Sequence, residues 1–165
     1  AGQLTLMASG PAPAWQRVAP ALKGWGTVQF YLGEGEQARL MKLVINLMIG
    51  QTSAMLAEAL SLGSKGGLAW TDLWQVIGAS AVASPIVKAK SVQLSQRDFT
   101  PTFTVPQMLK DIDLILAEGD ALQVPLMQTA MTRQMMQSAL AQGWAEQDYA
   151  AIIKVVEQSA GIHQE

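Results

Sequence analysis

From Gln37 to Leu62 the chain is apolar on nearly every face of the helix it would form. Leu40, Met41, Leu43, Val44, Ile45, Leu47, Met48 and Ile49 crowd the first half of this stretch, and Met55, Leu56 and Leu60 continue it. A surface helix carries one apolar stripe, so this pattern predicts a long helix buried on several sides, the central element of a helical domain. The 165 residues suffice for one compact domain with a real core. Charged residues make up only 15%, against roughly 25% in ordinary soluble domains. Mean hydropathy is +0.20, so more apolar surface exists than one small globule hides, which points to a large partner interface.

Ahead of the long helix the periodicity changes quickly. Leu4 to Met7 reads as a short strand, Pro11 to Leu22 as a helix with Pro at its start, and Thr27 to Tyr31 as a second strand. Ser9-Gly10 and Gly24-Trp25-Gly26 separate them. Two strands make a marginal sheet, so this β-α-β piece is expected to complete a sheet whose other strands lie upstream or in another chain. From Glu34 onward every element reads as helix. Thr71-Asp72 is expected to cap a helix to about Ala79, and Ser84 with Pro85 to open one to about Ser95. Thr104 should start a helix to about Leu122, and Pro125 one to Ala141, before Gly143. A last helix is expected from about Gln147 to Ala160, closed by Gly161.

Several functions fit poorly. With no Cys and a single His, His163, the chain has no ready metal site, disulfide or Ser-His-Asp constellation. A net charge of -2, with 11 Lys and Arg spread along the chain, offers no basic stripe for nucleic acid. No uninterrupted apolar run reaches about 18 residues, so no membrane-crossing helix is expected. No signal peptide is visible, and the cytoplasm is the expected compartment.

Two motifs carry chemistry. Gly33-x-Gly35 leads into Arg39-Leu-Met-Lys42-Leu-Val-Ile-Asn46, where Lys42 and Asn46 stand one helical turn apart on one face. Both are polar in an apolar stretch, and a buried ammonium is costly to desolvate. A lysine in a cleft can give a proton to an alkoxide developing during hydride transfer, with Asn46 fixing the lysine or the substrate oxygen. A lysine snorkelling to solvent beside a capping Asn explains the same pair, and on composition alone is the preferred reading. The second motif is Phe99-x-Pro101-x-Phe103 followed by Leu109-Lys110-Asp111. Here Lys110 could meet a phosphate or nicotinamide edge and Asp111 anchor a neighbouring loop, although a solvated Lys-Asp step is commoner. Asp148, before Tyr149-Ala-Ala, reads as a helix cap. Gly33-x-Gly35 lacks the third Gly and the later acidic residue of a dinucleotide fingerprint. The five Trp and nine Met read as packing residues.

In this order and at these distances, the motifs resemble the C-terminal half of the β-hydroxyacid dehydrogenases, a family that includes 3-hydroxyisobutyrate dehydrogenase, tartronate semialdehyde reductase and the glyoxylate/succinic semialdehyde reductases. Ala1-Gly-x-Leu-Thr-Leu-Met is similar to the segment that ends the family's nucleotide domain. Ala38-Arg-Leu-Met-Lys-Leu-Val-Ile-Asn46 is similar to its catalytic-lysine segment, closest to the glyoxylate/succinic semialdehyde branch. Phe103 with Lys110-Asp111 resembles the cofactor-side segment, and Asp148-Tyr-Ala-Ala the closing Asp-x-Ser-Ala.

The resemblance implies a mainly α fold, a 6-phosphogluconate-dehydrogenase-like C-terminal helical domain preceded by a β-α-β remnant of a Rossmann-type domain. Residues 1–33 would end the nucleotide-binding domain and 34–165 form an all-α substrate and dimerisation domain. Lys42 would be the catalytic general acid, with Asn46 holding it and the substrate. Phe103, Lys110 and Asp111 would contact NAD or NADP. The partners implied are a small hydroxyacid or aldehyde substrate and a second copy of the chain, in a dimer or larger oligomer. Imine reductases share the architecture but typically replace the lysine, so Lys42 argues against them. The family's Gly-x-Gly-x-x-Gly turn and its substrate-carboxylate segment have no counterpart here. The expectation is therefore a piece of a longer NAD(P)-dependent dehydrogenase, inactive alone. The alternative is a catalytically inactive helical dimerisation or interaction module with the same fold.

Overall fold

The structure, a computed structural model, describes residues 4–162. His163 and the first residues of the Ala1-Gly segment lie outside them. The chain divides into two compact units, Ala1–Ile45 and Asn46–Glu165, and the division falls inside one long helix.

In the first unit, β1 (Thr5–Ala8), α1 (Ala12–Leu22) and β2 (Val28–Tyr31) precede the start of α2 (Gln37–Lys65). β1 and β2 pair in parallel, with Thr5 opposite Val28 and Ala8 opposite Tyr31. Parallel neighbours need a crossover, and α1 supplies it, as the β-α-β reading expected. Gly26 is required where β1 begins, because a Cβ there would collide with the Leu4 carbonyl. The Tyr31 hydroxyl donates to the Gly10 carbonyl at 2.7 Å, and its ring stacks on Trp15 with centroids 6.1 Å apart.

The second unit contains the rest of α2, then α3 (Trp70–Ala79), α4 (Pro85–Leu94), α5 (Val105–Ala121), α6 (Met127–Ala141), a 3-10 turn (Tyr149–Ala151) and α7 (Ile152–Ser159). Its core gathers Leu60 from α2, Val87 from α4, Met108 and Ile112 from α5, Met136 from α6, and Ile152 and Ile153. α5 packs on α6, and α6 on α7. The Trp70 indole donates to the carbonyls of Leu94 and Ser95 at 3.1 and 3.0 Å, which ties α3 to the end of α4.

Helix starts that depend on local chemistry fall where expected. Ser84 accepts from the Val87 amide, and Thr104 forms a reciprocal capping box with Gln107. Three starts differ. α3 begins at Trp70 behind Ala69, so Thr71 lies inside it rather than capping it. α6 begins at Met127, two residues after Pro125, because the Val124 amide turns back to the Gly119 carbonyl at 2.8 Å and the chain is still leaving α5. The last helix is preceded by a 3-10 turn that starts at Tyr149 with Asp148 as its cap, so Gln147 lies outside it.

The largest difference concerns α2. It is one helix, as expected, but within this chain only part of its circumference is covered. Met41, Val44, Met48, Met55 and Leu62 are exposed, and four of them recur every seven residues along one side. By length and composition alone α2 is also long and apolar enough to cross a membrane, although no uninterrupted apolar run in it reaches that length. Its Asn46, Ser53 and Ser61 are buried in the fold beside Leu56, Ala57 and Leu60, the pattern of a globular core helix.

Leu60 is fully buried, so Leu60→Ala should destabilise the chain by about 2–5 kcal/mol. Thr104→Ala should cost about 1 kcal/mol through the lost cap. Urea unfolding monitored by circular dichroism checks both values and their order.

Candidate functional site

Asp111 stands on α5 beside Met108, Ile112 and Ile115, which turn into the core. The helix therefore carries its carboxylate inward, leaving 8% of the residue exposed. Lys110, one position earlier and about 100° away around the helix, stays at the surface with 66% of its side chain exposed. Asn46 of α2 is buried at 7% exposure and donates its amide Nδ2 to Asp111 Oδ2 at 2.6 Å. Lys110 Nζ reaches the other oxygen, Oδ1, at 2.9 Å. Both carboxylate oxygens are thus held by charged or amide donors, an arrangement that compensates for burying the charge. Beside Lys110 a cavity of about 390 Å³ is walled by Pro106, Leu109, Leu114 and Leu140. Lys42 sits one turn before Asn46 in α2 and is exposed within this chain.

Phe103 lies in the loop before α5, half-buried, with its ring edge-on to Tyr149 at 6.3 Å between centroids. That loop is set by Asp148. Its carboxylate accepts from Lys90 Nζ at 2.7 Å, the Ala150 amide at 3.0 Å, and the Thr102 amide and hydroxyl at 3.1 and 2.9 Å. The Asp148 amide donates to the Phe99 carbonyl and the Tyr149 amide to the Phe103 carbonyl, both at 2.9 Å. Lys90 is 5% exposed and its ammonium also lies 4.3 Å from the centre of the Tyr149 ring. Burial pushes the Asp148 carboxyl up, but the bonds from Lys90, Ala150 and Thr102 together with the Lys90 charge outweigh it. The net result is a carboxyl below the usual aspartate range. Burial, then the Asp148 charge, pushes the Tyr149 hydroxyl up to about 12.

Of the residues singled out in the sequence, the fold brings Asn46, Asp111 and Lys110 into direct contact. Asp111 anchors a helix through Asn46 rather than the neighbouring loop expected of it. Phe103 belongs to the Asp148 cluster. Asp148 does cap the following turn, but it is also the acceptor for Lys90, which the sequence reading missed. Among the described residues no group of three His, Cys, Asp or Glu is placed to hold a metal ion.

Residues 36–156 match the family model described as the NAD-binding part of NADP-dependent 3-hydroxyisobutyrate dehydrogenase, and the chain belongs to that family. It is 34% identical to 2-(hydroxymethyl)glutarate dehydrogenase of Eubacterium barkeri over 98% of this chain and 54% of that protein. It is 29% identical to glyoxylate/succinic semialdehyde reductase 1 of Arabidopsis thaliana, over 94% of this chain and 54% of the relative. Among solved structures, 3-hydroxyisobutyrate dehydrogenase from Salmonella typhimurium superposes with a TM-score of 0.84 at 26% identity, covering 90% of this chain and 53% of that one. The chain therefore spans about half the length of the relatives it matches, and its fold is the expected mainly α one.

The depressed Asp148 value gives a signed pH dependence. A carboxyl lower in the folded state stabilises fully above the ordinary aspartate pKa of about 3.9, and that stability is lost as pH falls through the lower folded value. Asp148→Asn should cost about 3–5 kcal/mol near neutrality by leaving Lys90 buried without its carboxylate. The gap between wild type and variant should narrow below about pH 4, as urea midpoints across pH will show.

Proposed function

We propose that this chain is the substrate and dimerisation part of an NAD(P)-dependent dehydrogenase that interconverts a small β-hydroxyacid and its aldehyde or keto acid. In this reading residues 1–33 end a nucleotide-binding domain and 34–165 form the helical domain. The observation that carries it is the buried Asn46–Asp111 bond at 2.6 Å, in a chain that belongs to this family, one helical turn from Lys42. A polar pair locked inside an otherwise apolar helix contact needs a use, because burying it stabilises less than apolar residues would.

Lys42 acts as the general acid, holding a proton at Nζ for the oxygen of a substrate carbonyl as that oxygen becomes an alkoxide. Asn46 is fixed by Asp111 one helical turn after Lys42 along α2. Lys110, exposed beside an apolar cavity, offers a cation to the cofactor, and Phe103 an apolar surface that excludes water. The reduced nicotinamide, when bound, supplies the hydride. The substrate class follows the names of the relatives, glyoxylate and succinic semialdehyde among the candidates, and the expected compartment is the cytoplasm.

The test is NAD(P)H-dependent reduction of glyoxylate and succinic semialdehyde by the gene product that carries a nucleotide-binding domain upstream of this chain. Lys42→Ala should lower kcat by about 10²–10⁴-fold with an unchanged melting temperature. Full activity in that variant would remove Lys42 from the chemistry.

The same reading gives α2 a partner. Its side bearing Met41, Met48, Met55 and Leu62 is the kind of surface a second copy covers in a homodimer or larger oligomer. Light scattering should report at least a dimer at micromolar concentration, and Met48→Asp should shift it toward monomer. A stable wild-type monomer would contradict this.

A further inference from the structure

Among the described residues, Lys154 on α7 is the one lysine whose ammonium lies over two aromatic rings. Its Nζ is 4.0 Å from the centre of the Trp144 ring and 4.9 Å from that of Phe99. It lines a cavity of about 330 Å³, together with those rings, Arg97, Glu157 and Ile162. Among the described residues that line it, cations outnumber carboxylates. Glu157, on the same helix and 3% exposed, is gripped by Arg97 through two parallel bonds, Nη1 to Oε2 at 3.0 Å and Nη2 to Oε1 at 2.6 Å. The Arg97 guanidinium also lies over the Trp70 ring at 4.0 Å. The described lining thus sets two cations, Arg97 and Lys154, against one carboxylate, whose charge bears on both.

The ammonium has three N–H donors. One goes to the uncharged amide oxygen Oε1 of Gln147 at 2.6 Å. Among the described residues no carboxylate lies within ion-pair distance of it. Ring faces attract the cation but accept no strong hydrogen bond. Burial holds this amine below the usual lysine range, with the Glu157 charge opposing, so its present neighbours do not fully compensate the charge.

We propose that this cavity binds a small organic carboxylate, its head on Lys154 and a short apolar body against Phe99, Trp144 and Ile162. The volume stands at the low end for small-molecule sites, which are mostly apolar with a few converging polar groups. One cation that its described neighbours compensate only in part matches one negative charge. A phosphate would call for a free guanidinium fork, and the fork of Arg97 is already closed on Glu157. This inference does not depend on the proposed dehydrogenase activity.

The test is titration of the ¹⁵N-labelled chain with benzoate and, separately, with its neutral isostere benzamide, followed by two-dimensional NMR. Benzoate should shift the Trp144 indole and the amides of α7 in a saturable way, and benzamide should bind at least about tenfold more weakly. Lys154→Met should weaken benzoate by the same factor, Lys154→Arg should retain it, and Lys88→Met, at an exposed lysine of α4, should leave it unchanged. Equal binding of benzoate and benzamide to the wild type would overturn the proposal. So would unaltered benzoate binding in Lys154→Met, or shifts centred away from Trp144 and α7.

Discussion

The carboxylate of Asp148 is where the helical unit is tied together. One buried charge takes four donors, from α4 through Lys90, from the loop before α5 through Thr102, and from its own turn through Ala150. Had any of these elements packed differently, a charge would be left in the core without compensation, a far larger penalty than a lost surface contact. The Phe99 to Thr104 loop rests Phe99 and Phe103 against the core, contacts that do not set its direction. Its path follows from this set of hydrogen bonds, and with it the position of Phe103 and the start of α5 at the Thr104 cap.

α5 then turns Asp111 inward to Asn46 and Lys110 outward. Two buried polar contacts therefore serve the same helix, one where its N-terminal loop is set and one in its second turn. The apolar core supplies most of the stability, but apolar contacts are non-directional. Directional bonds from Asn46 and Asp148 select one register of α5 against α2 and the turn before α7. That is the property a site needs whose reacting groups come from different helices.

What was legible in the sequence follows the range of the interaction. The β-α-β order, the start of α2, and the Ser84 and Thr104 starts rest on periodicity and on caps three residues away, and these appear as read, while α2 runs on past Leu62 to Lys65. Pro125 and Thr71 misled because a good local signal lost to the turn leaving α5 and to the approach of Trp70 to Leu94. Asn46 and Asp111 were chosen singly, but their partnership spans 65 residues, and nothing local states it. Lys90 escaped notice entirely, since it sits in an ordinary Pro-led helix and its partner is 58 residues further on. Its signal was available only as a lysine at the apolar spacing of Val87 and Leu94. The all-round apolarity of α2 and the excess of apolar surface were legible, but not which side of the helix is left exposed in this chain.

The central claim is that Lys42 and the Asn46–Asp111 pair belong to one reaction site. Its most direct test is a crystal structure of the full-length protein with NADP⁺ and a substrate hydroxyacid. The account predicts Lys42 Nζ within about 3 Å of the substrate hydroxyl oxygen, with the Asn46–Asp111 bond intact. A substrate seated elsewhere, with Lys42 still facing solvent, would contradict it.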